Sequence, residues 1–305
     1  MLLAGVLAAT MMACNGGSSK ATASIATIPN DELQCVQLPS GVADVEVNYD
    51  LLRIHFNPKL RIPSTVAYRL TATEVAQSDA PTAEKRNNYK FNRDPDVKGC
   101  PEWYDYKGSG YDRGHMAPAM DMRGSKRLME QCFLMTNMVP QNHNLNAGEW
   151  KEMEEAIHRL AKARKAVYIV SGPIVGKSYE RIGQDKKNIA VPSKLFKLVY
   201  VPSLDKGVAF LFDNAGTGIS WKQHAVSIRQ IEQLTGINFF PTLPQAKQDA
   251  FETSADMSWW TGKAAAKKQD TSVKDGSGKH RATQKDINKM LRKSQKKNKN
   301  KKHHK

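Results

Sequence analysis

The sequence predicts a mixed domain of strands and helices, α+β or α/β in class, on three observations. Short β-rich runs recur along the chain. Two longer stretches carry helical periodicity. Pro and Gly punctuate the gaps between them, with no internal repeat and no Gly-rich dinucleotide or P-loop fingerprint.

Taken in order, the first run is Thr65–Leu70, where β-branched and aromatic residues favour a strand. Ala147–Arg164 reads as a helix, because Trp150, Met153, Ile157 and Leu160 form one apolar stripe able to pack on a sheet. Three further runs, Ala166–Ser171, Phe196–Tyr200 and Val208–Phe212, read as strands. Ala225–Leu234 reads as a second helix.

The chain has 305 residues and a net charge of +16. Residues 263–305 hold sixteen Lys and Arg against three Asp and Glu, a net of +13, so residues 1–262 carry only +3. This Lys-rich tail has too little apolar surface to offset its ordering entropy and is expected to be disordered, with polyanions as partners. At the other end, Met1–Ala13 is almost wholly apolar and is followed by Cys14 and a Gly/Ser-rich stretch. This pattern is expected to be a signal peptide, 1–13, and a tether or linker, 14–44. Met11-Met12-Ala13-Cys14 resembles a bacterial lipobox, which implies lipidation at Cys14 and a membrane anchor. The expected localisation is therefore a bacterial cell-envelope lipoprotein, periplasmic or surface, or a secreted protein. No apolar run is long enough for an integral membrane helix.

An exported chain makes its cysteines readable. Cys132, in an apolar stretch, is expected to be a buried small hydrophobe. Cys35 and Cys100 lie in polar, turn-rich segments and could pair, which sequence alone leaves open. No Cys/His spacing suggests zinc.

The densest chemistry is Tyr111-Asp112-Arg113-Gly114-His115-Met116-Ala117-Pro118. Thr136-Asn137-Met138-Val139-Pro140-Gln141 and Leu145-Asn146-Ala147-Gly148-Glu149-Trp150 follow within about forty residues. Each part has a bland reading: a turn, a structural histidine, and a capping-box-like helix start at Asn146 with Glu149. Together they offer a candidate general base, amide side chains and a helix start.

Asp112-Arg113-Gly114-His115 resembles the signature of the DNA/RNA non-specific endonuclease family. Gly108-Ser109-Gly110-Tyr111 before it resembles the family, as do Ala117-Pro118, Asn137, Pro140-Gln141, Leu145-Asn146 and Trp150 after it. Val170-Ser171-Gly172-Pro173 and Ile231–Gly236 are also family-like, so the resemblance covers about 67–260. It implies an α+β fold, a central mainly antiparallel sheet with packed helices, containing a ββα-metal (His-Me finger) active-site motif; the one domain between the two distinct ends, 45–262, is then the nuclease domain. It implies a metal-dependent, sugar-nonspecific endonuclease, acting on DNA and RNA and leaving 5′-phosphate products. His115 would be the general base, since imidazole titrates near neutral pH. Asn146 would hold one Mg²⁺, with Mn²⁺ as the alternative, because such ions need few protein oxygens. Arg113 and Arg86 would grip phosphate, with Arg93 as the rival to Arg86.

If one helix runs on from Asn146, Glu154 lies about 12 Å up its axis. Glu154 therefore belongs behind the ion, on a metal-bound water, as the resemblance also implies. Asp112 would fix its loop. Asn137 and Gln141 would support the ligands or the scaffold. His143 is expected to be a loop residue. The alternative function is a catalytically inactive surface lipoprotein that binds nucleic acid or other polyanions. Oligomeric state is not legible.

Overall fold

The computed structural model describes residues 33–184 and 188–261. The expectations for the signal segment, Cys14 and the Lys-rich tail lie outside the described residues.

In chain order, β1 (Val36–Gln37), β2 (Val45–Asn48), β3 (Arg53–Asn57) and β4 (Ile62–Thr71) lead into helix α1 (Ala72–Asp79). Thr71 accepts from Glu74 N while Glu74 returns to Thr71 N, so a capping box starts α1. Next come β5 (Asp112–His115), α2 (Ala119–Met122), α3 (Lys126–Cys132), β6 (Met138–Gln141), α4 (His143–Ala147) and α5 (Glu149–Arg164). The chain ends with β7 (Ala166–Ile174), β8 (Arg181–Ile182), β9 (Ile189–Ala190), β10 (Lys194–Val201), β11 (Lys206–Asp213), β12 (Ala225–Val226), α6 (Ile228–Thr235), β13 (Asn238–Phe239) and α7 (Gln245–Glu252).

Seven strands form one sheet in the order β12-β11-β10-β7-β4-β3-β2, with every neighbouring pair antiparallel. Both faces are covered, which explains why its central strands read as continuous apolar runs rather than alternating ones. In β10, Leu195, Val199 and Val201 join the core that contains α5, while Phe196, Leu198 and Tyr200 join the core that contains α6 and α7. By that period of two, Lys197 shares the α5 face. On α5 the apolar stripe is buried as expected, with Trp150, Met153, Ile157 and Leu160 all inside the core.

Two boundaries differ from the sequence reading. Residues 36–37, inside the expected tether, pair with β13, so the chain is already packed before residue 45. The helix expected from Ala225 starts at Ile228, because Ala225 and Val226 pair with β11 and Ser227 caps Gln230 N. The pairing left open between Cys35 and Cys100 is not made: Cys100 is a buried free thiol accepting from Asp94 N. Cys132 is fully buried, its thiol donating to Ala117 O. Among the described residues no helix is long and apolar enough to cross a membrane.

Candidate active site

The β5–β6 hairpin carries the motif. Gly108 and Gly110 bend the chain into it with φ of 72° and 82°, values an L side chain rarely adopts. Asp112 then pairs with Gln141, Arg113 with Pro140, Gly114 with Val139 and His115 with Met138. Gly114 is required by contact, since a Cβ there would sit 2.5 Å from Gln141 Cβ and closer still to its Oε1. Gly114→Ala should therefore cost about 1–3 kcal/mol; an unchanged urea midpoint would show that Gln141 simply moves aside. Beyond the hairpin, Asn137 clamps the chain: its Oδ1 accepts from Ala117 N at 2.9 Å and its Nδ2 donates to Ala117 O and Cys132 O.

His115 is half-buried between Phe91, at 5.5 Å, and Phe133, which it meets edge-on at 5.0 Å. Burial pushes its imidazole down to about 3, helped by the charges of Arg86, Lys197 and Arg113. Arg113 lies 4.6 Å over Phe91 and donates Nη1–H to Trp103 O at 3.1 Å. The Arg86 guanidinium lies 5.5 Å over Phe133. Arg93 instead faces Glu102 at 3.7 Å. Arg86, not Arg93, is thus the upstream arginine that the structure brings to His115.

Asn146 is not a helix cap. It lies inside α4, and its Nδ2 donates to Asp112 Oδ2 at 2.8 Å. A carboxylate only accepts, so the amide nitrogen faces Asp112 and the amide oxygen is left for another partner. The same Asp112 oxygen lies 2.9 Å from His143 Nδ1, so His143 opens α4 and is tied to β5. Gly148 (φ −102°, ψ −118°) separates α4 from α5, so no single helix axis measures the distance from Asn146 to Glu154. Glu149 does not complete a capping box with Asn146, because it accepts from Thr217 N, Thr217 Oγ1 and Gly218 N.

Glu154 is buried on α5 against Lys197 of β10, with Oε1 3.2 Å from Nζ. Lys197 also donates to Met116 O at 2.7 Å and stands 4.9 Å over the Trp150 ring. One ammonium therefore joins the residue after His115 to the helix bearing Glu154. Burial lifts Glu154 to about 7 against the opposing pull of Lys197, and burial lowers Lys197 in turn. Nearby, Asp121 accepts from Tyr68 OH at 2.7 Å and lies 2.6 Å from His158 Nδ1. Sequence reading missed Lys197 as a site residue. Its signal was a charge inside an otherwise apolar strand run, which demands a buried partner.

A model of the DNA/RNA non-specific endonuclease family matches residues 29–246. The chain belongs to this family. Among family relatives, mitochondrial nuclease EXOG of Xenopus laevis is 35% identical over 63% of this chain and 57% of its own length. Mitochondrial Nuclease 1 of Schizosaccharomyces pombe is 27% identical over 69% of this chain and 70% of its own. A crystal structure of an EndoG/EndoGI complex matches with a TM-score of 0.61 and 26% identity, covering 67% of this chain and 89% of that one. The chain spans a little over half the length of the EXOG relative. The expected bacterial-envelope or secreted localisation is overturned by these comparisons, since the EXOG and Nuclease 1 relatives are named as mitochondrial proteins.

The family implies a divalent metal ion, and the donor set present fits one. Among the described residues no group of three or more His, Cys, Asp or Glu side chains is placed to hold an ion. The remaining candidate is the single oxygen of Asn146, which suits an ion that keeps several of its waters. His115 Nε2 and both amide atoms of Gln141 are buried with no hydrogen-bond partner among the described residues. Such atoms are costly unless water or a ligand group meets them.

Proposed function

We propose that this chain is a metal-dependent, sugar-nonspecific endonuclease that hydrolyses DNA and RNA to 5′-phosphate products. The carrying observation is the setting of His115: an imidazole whose Nε2 has no hydrogen-bond partner among the described residues, its pKa held low by burial, walled by two aromatic rings and flanked by Arg86 and Arg113. A neutral imidazole takes a proton from the attacking water through Nε2. Arg113 and Arg86 bind the phosphoryl oxygens and oppose their growing charge. Asp112 orients the Asn146 amide, whose oxygen would hold the ion. Glu154, ionised, would orient a water of that ion, with Lys197 keeping the carboxylate in place. Asn137 and Gln141 support the hairpin. When bound, Mg²⁺ or Mn²⁺ supplies polarisation of the phosphate and stabilisation of the leaving oxygen.

Attack by water needs no 2′-hydroxyl, so both sugars fit this chemistry. The +13 of residues 263–305 adds a salt-sensitive attraction to polyanions. The relatives' names support a mitochondrial location in place of an exported one. The test is to incubate purified protein with plasmid and with RNA, in Mg²⁺, in Mn²⁺ and in EDTA. Cleavage of both substrates in either metal, and its loss in EDTA, is expected. Intact substrates in both metals would defeat the reading.

A further inference from the structure

Among the described residues, Trp103 and Tyr104 are the only exposed Trp, Tyr or Phe side chains, at 47% and 39%. They open the short 3-10 turn Trp103–Tyr106, and their rings meet edge-on at 5.7 Å. A lone exposed aromatic needs no explanation; this pair sits on a turn whose backbone contacts the site. The carbonyl of Trp103 holds Arg113 Nη1, and the same guanidinium stacks on Phe91 beside His115. The acidic groups of the turn face cations: Glu102 faces Arg93 at 3.7 Å and Asp105 faces Arg61 at 3.6 Å. The turn that carries the pair is thus bonded through its backbone to Arg113.

A nucleotide joins one phosphate to one base. A phosphate held by Arg113 would lie next to the turn whose backbone binds that guanidinium and whose side chains are the indole and the phenol. Bases inside a duplex are already stacked on each other, whereas unpaired bases have a free face that stacks readily on an aromatic ring. We propose that Trp103 and Tyr104 form a stacking platform for an unpaired nucleobase of a single-stranded nucleic acid, next to the phosphate on Arg113. This proposal rests on the nuclease reading and adds to it a contact for the base beside the bound phosphate.

The experiment uses the full-length His115→Ala chain in EDTA, so that nothing is cut. Anisotropy measures binding of a labelled single-stranded oligothymidylate and of an abasic strand with the same length and charge. The base-bearing strand should bind about tenfold tighter, as one stacked base supplies. Adding Trp103→Ala and Tyr104→Ala should bring that ratio to about one, and Trp103→Phe should keep most of it. These changes leave the backbone carbonyl under Arg113 in place, and matching melting curves check the fold. A ratio of one in the parent, or a ratio unmoved by the double substitution, would overturn the platform. If the unsubstituted chain still cuts nucleic acid, the nuclease reading survives that result. If it neither cuts nor binds either strand, both fall together.

Discussion

Replacing His115 with alanine should lower kcat/KM on plasmid DNA by about 10²–10⁴-fold, the usual contribution of a positioned base. Cleavage that survived this change undiminished would remove the proposed chemistry. The pH dependence follows from two groups whose environments push them apart. A base works deprotonated, and His115, held down near 3, stays deprotonated throughout the neutral range. It therefore produces no fall in activity near 6.5. Glu154, held up near 7, must be ionised to accept from water, so kcat/KM should fall as pH drops through about 7. Glu154→Gln should lower the plateau and also abolish that fall down to about pH 5. An acid limb unchanged in Glu154→Gln would mean that imidazole is the titrating group.

Lys197→Met should give the largest loss of stability. The substitution leaves Met116 O without its donor and Glu154 without its cation, inside the core. Breaking one side of a buried pair costs about 3–5 kcal/mol where the remaining charge cannot neutralise. Glu154 can take a proton, so the cost depends on pH. Its folded pKa is raised above its ordinary 4.5, so the stability linked to its protonation is present at low pH and lost as pH rises. In the parent the loss stops near 7, where the carboxylate forms against Lys197. Without Lys197 it continues upward, widening the gap by about 1.4 kcal/mol per pH unit above 7. Urea unfolding at pH 7 and pH 9 measures this. A gap independent of pH would show that Glu154 does not depend on Lys197 for its charge.

What sequence made visible follows from how local each signal is. The α5 stripe repeats every three or four residues, so Trp150, Met153, Ile157 and Leu160 could be aligned without a fold. The Asp112–His115 motif was legible because its four residues are contiguous on one strand. Partnerships between distant segments were hidden. Nothing near residue 197 names Glu154 or Met116 as partners, because register across the sheet decides which α5 side chains Lys197 meets. Asn146 looked like a cap because capping and ligation call for the same short amide. Only its contact with Asp112, thirty-four residues back, separates the two. The strands β2 and β3 passed unnoticed because their pattern is short and half-polar.

The position of Lys197 also has a consequence in time. His115 leaves the ribosome about eighty residues before Lys197, and Lys197 is fixed only when β10 lies between β7 and β11. A nascent or truncated chain ending before β11 carries the whole Asp112–His115 motif yet lacks the fixed ammonium that ties it to α5. On the proposed nuclease reading, such a chain should not cut the message that encodes it, because its site is complete only once β10 is seated between β7 and β11.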